Sequence, residues 1–168
     1  MTVRTLGAAS IRPHTRRWRQ LLAALVVGIA VLLSAPADAH GPAPVQLTEV
    51  ASRVSSRRLG DVVDLLRKDA QRELYAIDWQ RQGVRRQVHV SAALVRLEST
   101  QDAKVLLANA TVSATLRDAR TGALLAILEG RAQAEDRPGE AAGAERDALA
   151  GAVRGAITAI PEAIRRMK

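Results

Sequence analysis

Residues Asn109 to Ala134 read NATVSATLRDARTGALLAILEGRAQA, and their alternation decides the fold. In the first half Ala110, Val112, Ala114 and Leu116 fall on one parity. Asn109, Thr111, Ser113, Thr115 and Arg117 fall on the other. A period of two sends successive side chains to opposite faces of an extended chain, the pattern of a half-buried strand. The break Asp118-Ala119-Arg120-Thr121-Gly122 carries an Asp and ends in a Gly, which adopts the positive φ that closes a hairpin loop. A second apolar run follows. The stretch therefore predicts strand, tight turn and return strand, and we expect this hairpin, from Val105 to Ala134, to form the centre of a sheet.

Downstream, Glu135 to Gly143 clusters Pro, Gly and charge, which predicts a loop. The last element is an amphipathic helix. Leu149, Ala152, Val153, Ala156, Ile157 and Ile160 recur at steps of three and four, and Ile164 extends the stripe. Gly151 and Gly155 lie beside it and suit a close approach to the sheet. Pro161 kinks the helix or restarts it at a first-turn position.

Upstream, Val84 to Glu98 predicts a strand. Val88, Val90 and Ala92 share one parity and Val95 and Leu97 the other, so a bulge near Ala92-Ala93 would bring both sets to the core. Ser99 to Lys104 is a turn. Arg58 to Ile77 is a second amphipathic helix, with Leu59, Val62, Val63, Leu66, Ala70, Leu74 and Ile77 on one side. Ser55 or Ser56 is placed to cap it. Tyr75 and Trp79, at its end, suit packing at the core edge. Val45 to Ala51 predicts a first strand. The expected architecture is α+β, a two-layer sandwich: a mostly antiparallel four-stranded sheet with two helices on one face, in the order β-α-β-β-β-α.

The N-terminus follows a different logic. Met1 to Gln20 carries five Arg and no acid, Leu21 to Leu33 is unbroken apolar residues, and Ala37-Asp38-Ala39 supplies a small-residue cleavage site. That predicts a signal peptide over 1–39, a flexible leader over 40–44 and a single α+β domain over 45–168. An uncleaved anchor is disfavoured, because a spanning helix needs about 20 apolar residues and Pro36 ends the run early. Five of the 25 basic residues and one of the 17 acidic residues precede His40, so half of the formal charge of +8 leaves with that segment. The remaining chain is modestly basic, and nucleic acid is not an expected partner. With no Cys, the exported chain has neither disulfides nor a lipid attachment site.

No nucleophile elbow, glycine-rich phosphate loop or paired-histidine motif is present. The expectation is a binding protein, not an enzyme, with no cofactor. Candidate partner-facing residues come from the polar parity of the strands: Arg85, His89, Thr115 and Arg117, with Gln87, Thr111 and Ser113 beside them. The alternative is a small-ligand or copper-binding module using the imidazole and free amine of His40 after cleavage.

The segment ATLRDARTGALLAILEG, with its Asp-x-x-Thr-Gly turn followed by an Ala-rich helix, resembles the hairpin of small bacterial envelope α/β domains. These include the outer-membrane activator of penicillin-binding proteins, the curli secretion channel subunit and the N-terminal domain of the Tol translocation protein. The resemblance runs from Val84 onward, and the lipobox Cys of the activator lipoproteins is missing. It implies the fold and a periplasmic or extracellular place in the cell envelope; the role expected from the whole reading is an adaptor that binds a protein or an anionic cell-wall polymer. Membrane contact is expected only through the signal peptide. Cleavage between Ala39 and His40 has a direct test: N-terminal sequencing of the exported protein should begin His-Gly-Pro-Ala-Pro. Recovery of membrane-bound protein that retains Leu21 to Leu33 would refute it.

Overall fold

A computed structural model describes residues 43–167. The signal peptide, its cleavage site and His40 lie outside the described residues. The elements are β1 (Val45–Ser52), α1 (Val62–Ala76), β2 (Val88–Gln101), β3 (Leu106–Asp118), β4 (Leu124–Asp136), α2 (Ala141–Thr158) and a short α3 (Ile160–Arg166). The sheet order is β1-β2-β3-β4. β1 runs parallel to β2, and the β2–β3 and β3–β4 pairs are antiparallel. The expected α+β sandwich is therefore present, with both long helices against one face.

The buried set shows why. Val88, Val90, Ala92 and Leu94 of β2 and Leu106 to Leu116 of β3 bury alternate residues. Leu66, Ala70 and Leu74 of α1 and Leu149, Ala152, Val153, Ala156 and Ile157 of α2 close over them. The apolar stripe of the last helix is buried along its whole length, through Ile160 and Ile164. Ala159 ends α2 and Pro161 sits in the first turn of α3, so the proline restarts the helix.

Several boundaries differ from expectation for local physical reasons. The hairpin is not the centre of the sheet: β3 is central, but β4 is an edge. The β1–α1–β2 crossover lays β1 parallel to β2, which makes β2–β3 the middle pair. Helix α1 begins at Val62, not Arg58. Asp61 is its cap, accepting from the Asp64 amide at 3.0 Å, and Gly60 before it has a φ of 68°. Ser56 caps a separate turn, accepting from the Arg58 and Leu59 amides. The second strand starts at Val88, because Gly83 at φ 67° turns the chain and the Val84 amide bonds back to the Trp79 carbonyl. Its bulge lies between Leu94 and Arg96, two residues past the expected place. The shift turns Leu97 inward and leaves Val95 exposed. Trp79 is buried and donates to the Leu74 carbonyl at 3.2 Å. Tyr75 is 83 % exposed, contrary to the expected core-edge packing, because it follows Leu74 on the solvent side of the helix.

The tightest contact between the layers is at Gly130 in β4. A Cβ added there would lie 2.0 Å from the Ala152 carbonyl oxygen and 2.5 Å from the Ala156 amide nitrogen. Both are helix backbone atoms, which have no rotamer through which to yield. Gly151 is also close, with a built Cβ 2.8 Å from that of Ala132, whereas Gly155 has ordinary clearance of 3.5 Å to Gly130. The expectation for the helix glycines thus holds for Gly151, and the decisive glycine lies on the strand. Gly130→Ala should cost roughly 3 kcal/mol through overpacking. Gly155→Ala should instead gain up to about 1 kcal/mol from helix propensity. Chemical denaturation of the two variants measures both, and equal effects of one sign would refute this packing.

Candidate functional site

The β3–β4 turn is held by one carboxylate. Asp118 Oδ1 accepts from the Arg120 amide at 3.0 Å, the Thr121 amide at 2.8 Å and the Thr121 hydroxyl at 2.9 Å. Arg86 donates to Oδ2 from Nε and Nη2, each at 2.7 Å. The Gly122 amide bonds the Asp118 carbonyl at 2.8 Å, and Gly122 takes a φ of 70°. The Asp-x-x-Thr-Gly spacing is thereby explained: a side-chain acceptor gathers the turn's amides, and a glycine follows where φ turns positive. Arg86 above all, then the Thr121 amide and hydroxyl, hold the Asp118 carboxyl well below the usual carboxylate range, against the opposing effect of burial.

This turn positions one end of the outer sheet face. His89 pairs with Arg117, and Arg117 with Leu124. One step along, Ser91 pairs with Thr115, and Thr115 with Ile127. Among the candidate residues, His89, Thr115 and Arg117 therefore stand together. Thr111 and Ser113 continue the same face along β3. Arg85 does not join them. It precedes β2 and borders a hollow with Ile164 and Met167 at the end of the sheet. Gln87 also lies outside the strand, its carbonyl accepting from the Ala119 amide.

Charge is distributed unevenly over this face. Arg96 pairs with Glu98, and Arg131 with Glu129 at 2.9 Å. Arg117 donates to the Gly122 carbonyl at 3.2 Å and has no ion pair among the described residues. Beside it lie two exposed large apolar residues, Leu124 at 54 % and Ile127 at 63 %. Sequence reasoning missed both. The signal was present in LLAIL, since five consecutive apolar residues in a one-sided strand must place some of them outward.

A second cluster surrounds Glu145 on the first turns of α2. Its carboxylate accepts from Ser56 Oγ at 2.7 Å, Arg58 Nη1 at 2.8 Å and Ser99 Oγ at 3.0 Å. Burial pushes the carboxyl up, but those three donors outweigh it and the net shift is downward. A carboxylate so stabilised is a weak base toward either serine, and its neighbours already use its lone pairs. The cluster is a structural tie between three segments, and sequence reading had found no such pairing. Between β1 and α1, an apolar cleft of about 220 Å³ is lined by Val45, Leu47, Leu74, Ile77, Trp79 and Tyr75, among others. That volume is below the usual range for small-molecule pockets, about 300–1,000 Å³. Among the described residues no group of three or more His, Asp or Glu could hold a metal ion, and no helix is long and apolar enough to cross a membrane.

No protein-family profile matches the sequence, and no curated protein matches it. Solved structures do. Protein XCC0632 from Xanthomonas campestris, of family DUF330, is 14% identical, covering 73% of this chain and 85% of that one, with a TM-score of 0.53. A minor lipoprotein from Acinetobacter baumannii is 12% identical over 73% of this chain and 91% of that one, with a TM-score of 0.39. Lipoprotein GNA1162 from Neisseria meningitidis is 14% identical over 74% and 99%, at 0.31. The Xanthomonas likeness shows a shared fold. The narrower likeness to the penicillin-binding-protein activator, the curli channel subunit and the Tol protein is not shown by these matches.

The Asp118 cluster has a definite pH signature. A carboxyl whose folded pKa is depressed stabilises the protein above its unfolded pKa of about 3.9, and that contribution is lost as pH falls toward the folded value. Asp118→Asn should melt well below the wild type at neutral pH. The gap should narrow on acidification below about pH 4, where the unfolded wild-type chain takes up the proton that the folded carboxylate still refuses. A gap that stays constant from neutral pH to pH 2 would show that the carboxylate charge contributes nothing.

Proposed function

We propose that the protein is an exported adaptor of the bacterial cell envelope that binds a partner protein through the hairpin end of its outer sheet face. The binding surface comprises His89, Thr115 and Arg117 with Leu124 and Ile127. The mature chain is one α+β domain from Val45 onward, released by cleavage after Ala39. The single observation that carries this reading is a cation with no ion pair among the described residues, beside two exposed branched apolar side chains, next to a turn braced by part-buried hydrogen bonds. Interface energy concentrates where an arginine and apolar anchors leave water together. An Arg117 held by Gly122 loses less side-chain freedom on binding than a free one. The basic, apolar and small-residue pattern of residues 1–39 supports export. Binding is favoured over catalysis because the best polar cluster, at Glu145, is already fully engaged.

The test is site-specific photo-crosslinking from position 115 in the native bacterium, followed by mass spectrometry. We expect Arg117→Glu with Ile127→Ser to abolish the heterologous crosslink and leave the melting temperature within a few degrees. Arg85→Glu, off this face, should retain it. Crosslinks unchanged in the double variant would show that the hairpin end is only solvated surface, and capture of glycan strands alone would replace the protein partner with cell-wall polymer.

A further inference from the structure

The two edges of the sheet are built differently. β1 has eight residues, and its pairing with β2 shifts register between Leu47 and Glu49. A short, irregular edge is poorly suited to pairing with another strand. β4 has 13 residues, contains neither Pro nor Lys, and among the described residues pairs with β3 alone. Its register runs without a shift from Leu106–Asp136 to Leu116–Ala126 and shifts only at the turn end, between Ala126 and Leu124. Such an edge offers a continuous row of main-chain donors and acceptors.

We propose that this edge is the seam of a homodimer, in which β4 of two copies pairs antiparallel about a two-fold axis at Gly130. This register carries the unbroken stretch of the strand through the axis: Ala126 meets Ala134 of the second copy and Leu128 meets Ala132, while the register shift beside Leu125 leaves the turn end of β4 outside the new ladder. On the outer face Glu129 meets Arg131, twice. Within one copy these residues already form an ion pair at 2.9 Å, and the dimer converts two such pairs into an alternating four-charge cluster. Moving the axis to Glu129 sets glutamate against glutamate, and moving it to Arg131 sets arginine against arginine. Directly opposed like charges destabilise a strand pair. The charges therefore favour the axis at Gly130 over both of its neighbours. Where α2 crosses the midpoint, the backbone of Ala152 and Ala156 lies over Gly130 and Gly151 lies against Ala132, so the helix residues at the crossing are small. The result is one continuous eight-stranded sheet carrying two copies of the outer face. This inference goes beyond the adaptor reading and does not depend on it.

The experiment is sedimentation velocity on the exported chain over a dilution series. The wild type should dimerise. Glu129→Arg, which opposes arginine to arginine at both pairs, should weaken the dimer by about tenfold or more. Glu129→Arg combined with Arg131→Glu should restore it. Thermal melts check that these exposed positions leave the fold intact. Register is read separately: the sequence has no Cys, so Ile127→Cys protein mixed with Gln133→Cys protein should form a disulfide-linked heterodimer that neither forms alone. A wild type monomeric at all concentrations, or a dimer indifferent to Glu129→Arg, would overturn the proposal.

Discussion

The structure depends on how closely one helix lies on one strand. At Gly130 the backbone of α2 sits where a side chain of β4 would be. That spacing is possible because the surrounding residues are small: Ala108, Ala110 and Ala114 in β3, and Ala148, Ala152 and Ala156 in α2, are all buried. A sequence without Phe cannot fill a wide gap between layers, so it closes the gap. Dispersion then comes from many short contacts at interior density, and added volume anywhere along the seam must push on backbone. The leucines and isoleucines fill the flanks, where α2 meets α1 and the sheet.

With the apolar faces of both long helices spent on the inner side, the outer side of the sheet is left to be polar. Its order comes from the strands and from the Asp118 turn. Asp118 couples the start of β2, through Arg86, to the turn itself, so Arg117 and Leu124 leave a braced platform. A surface preordered in this way loses less freedom when a partner arrives. Function would then rest on the same hairpin that sets the fold, with its inner parity building the core and its outer parity meeting the partner.

Much of this was legible in the sequence, and the unread parts share a cause. Alternation in Ala110 to Leu116 and the stripe from Leu149 to Ile164 report burial directly, so element types and faces followed from them. Strand order did not, because edge and centre differ in hydrogen bonding and not in the alternation that periodicity measures. Ser56 and Asp61 both suit a cap, and only the turn that Gly60 imposes separates them. Gly130 carries no periodic signal, since a glycine inside a strand is silent until the opposing helix is in place. In the candidate site, His89, Thr115 and Arg117 were readable from parity. Arg85 was not, because Gly83 delays the strand past it. For Leu124 and Ile127 the run LLAIL told only that some of its residues face outward, and the register shift beside Leu125 decides which.

The Glu145 tie has a consequence for the order of events in folding. Its carboxylate joins residues 89, 87 and 46 positions away along the chain. Closing such long loops carries an entropy cost before any contact forms, so interactions of this span tend to appear after the local hairpin and the helices. A bond made after the rate-limiting step adds nothing to the speed of folding and slows the reverse reaction. Glu145, Ser56, Arg58 and Ser99 would then act as a latch whose stabilisation appears in the lifetime of the native state. For a chain with no disulfide to lock it, slow unfolding is the protection available against proteases that act on transiently opened protein.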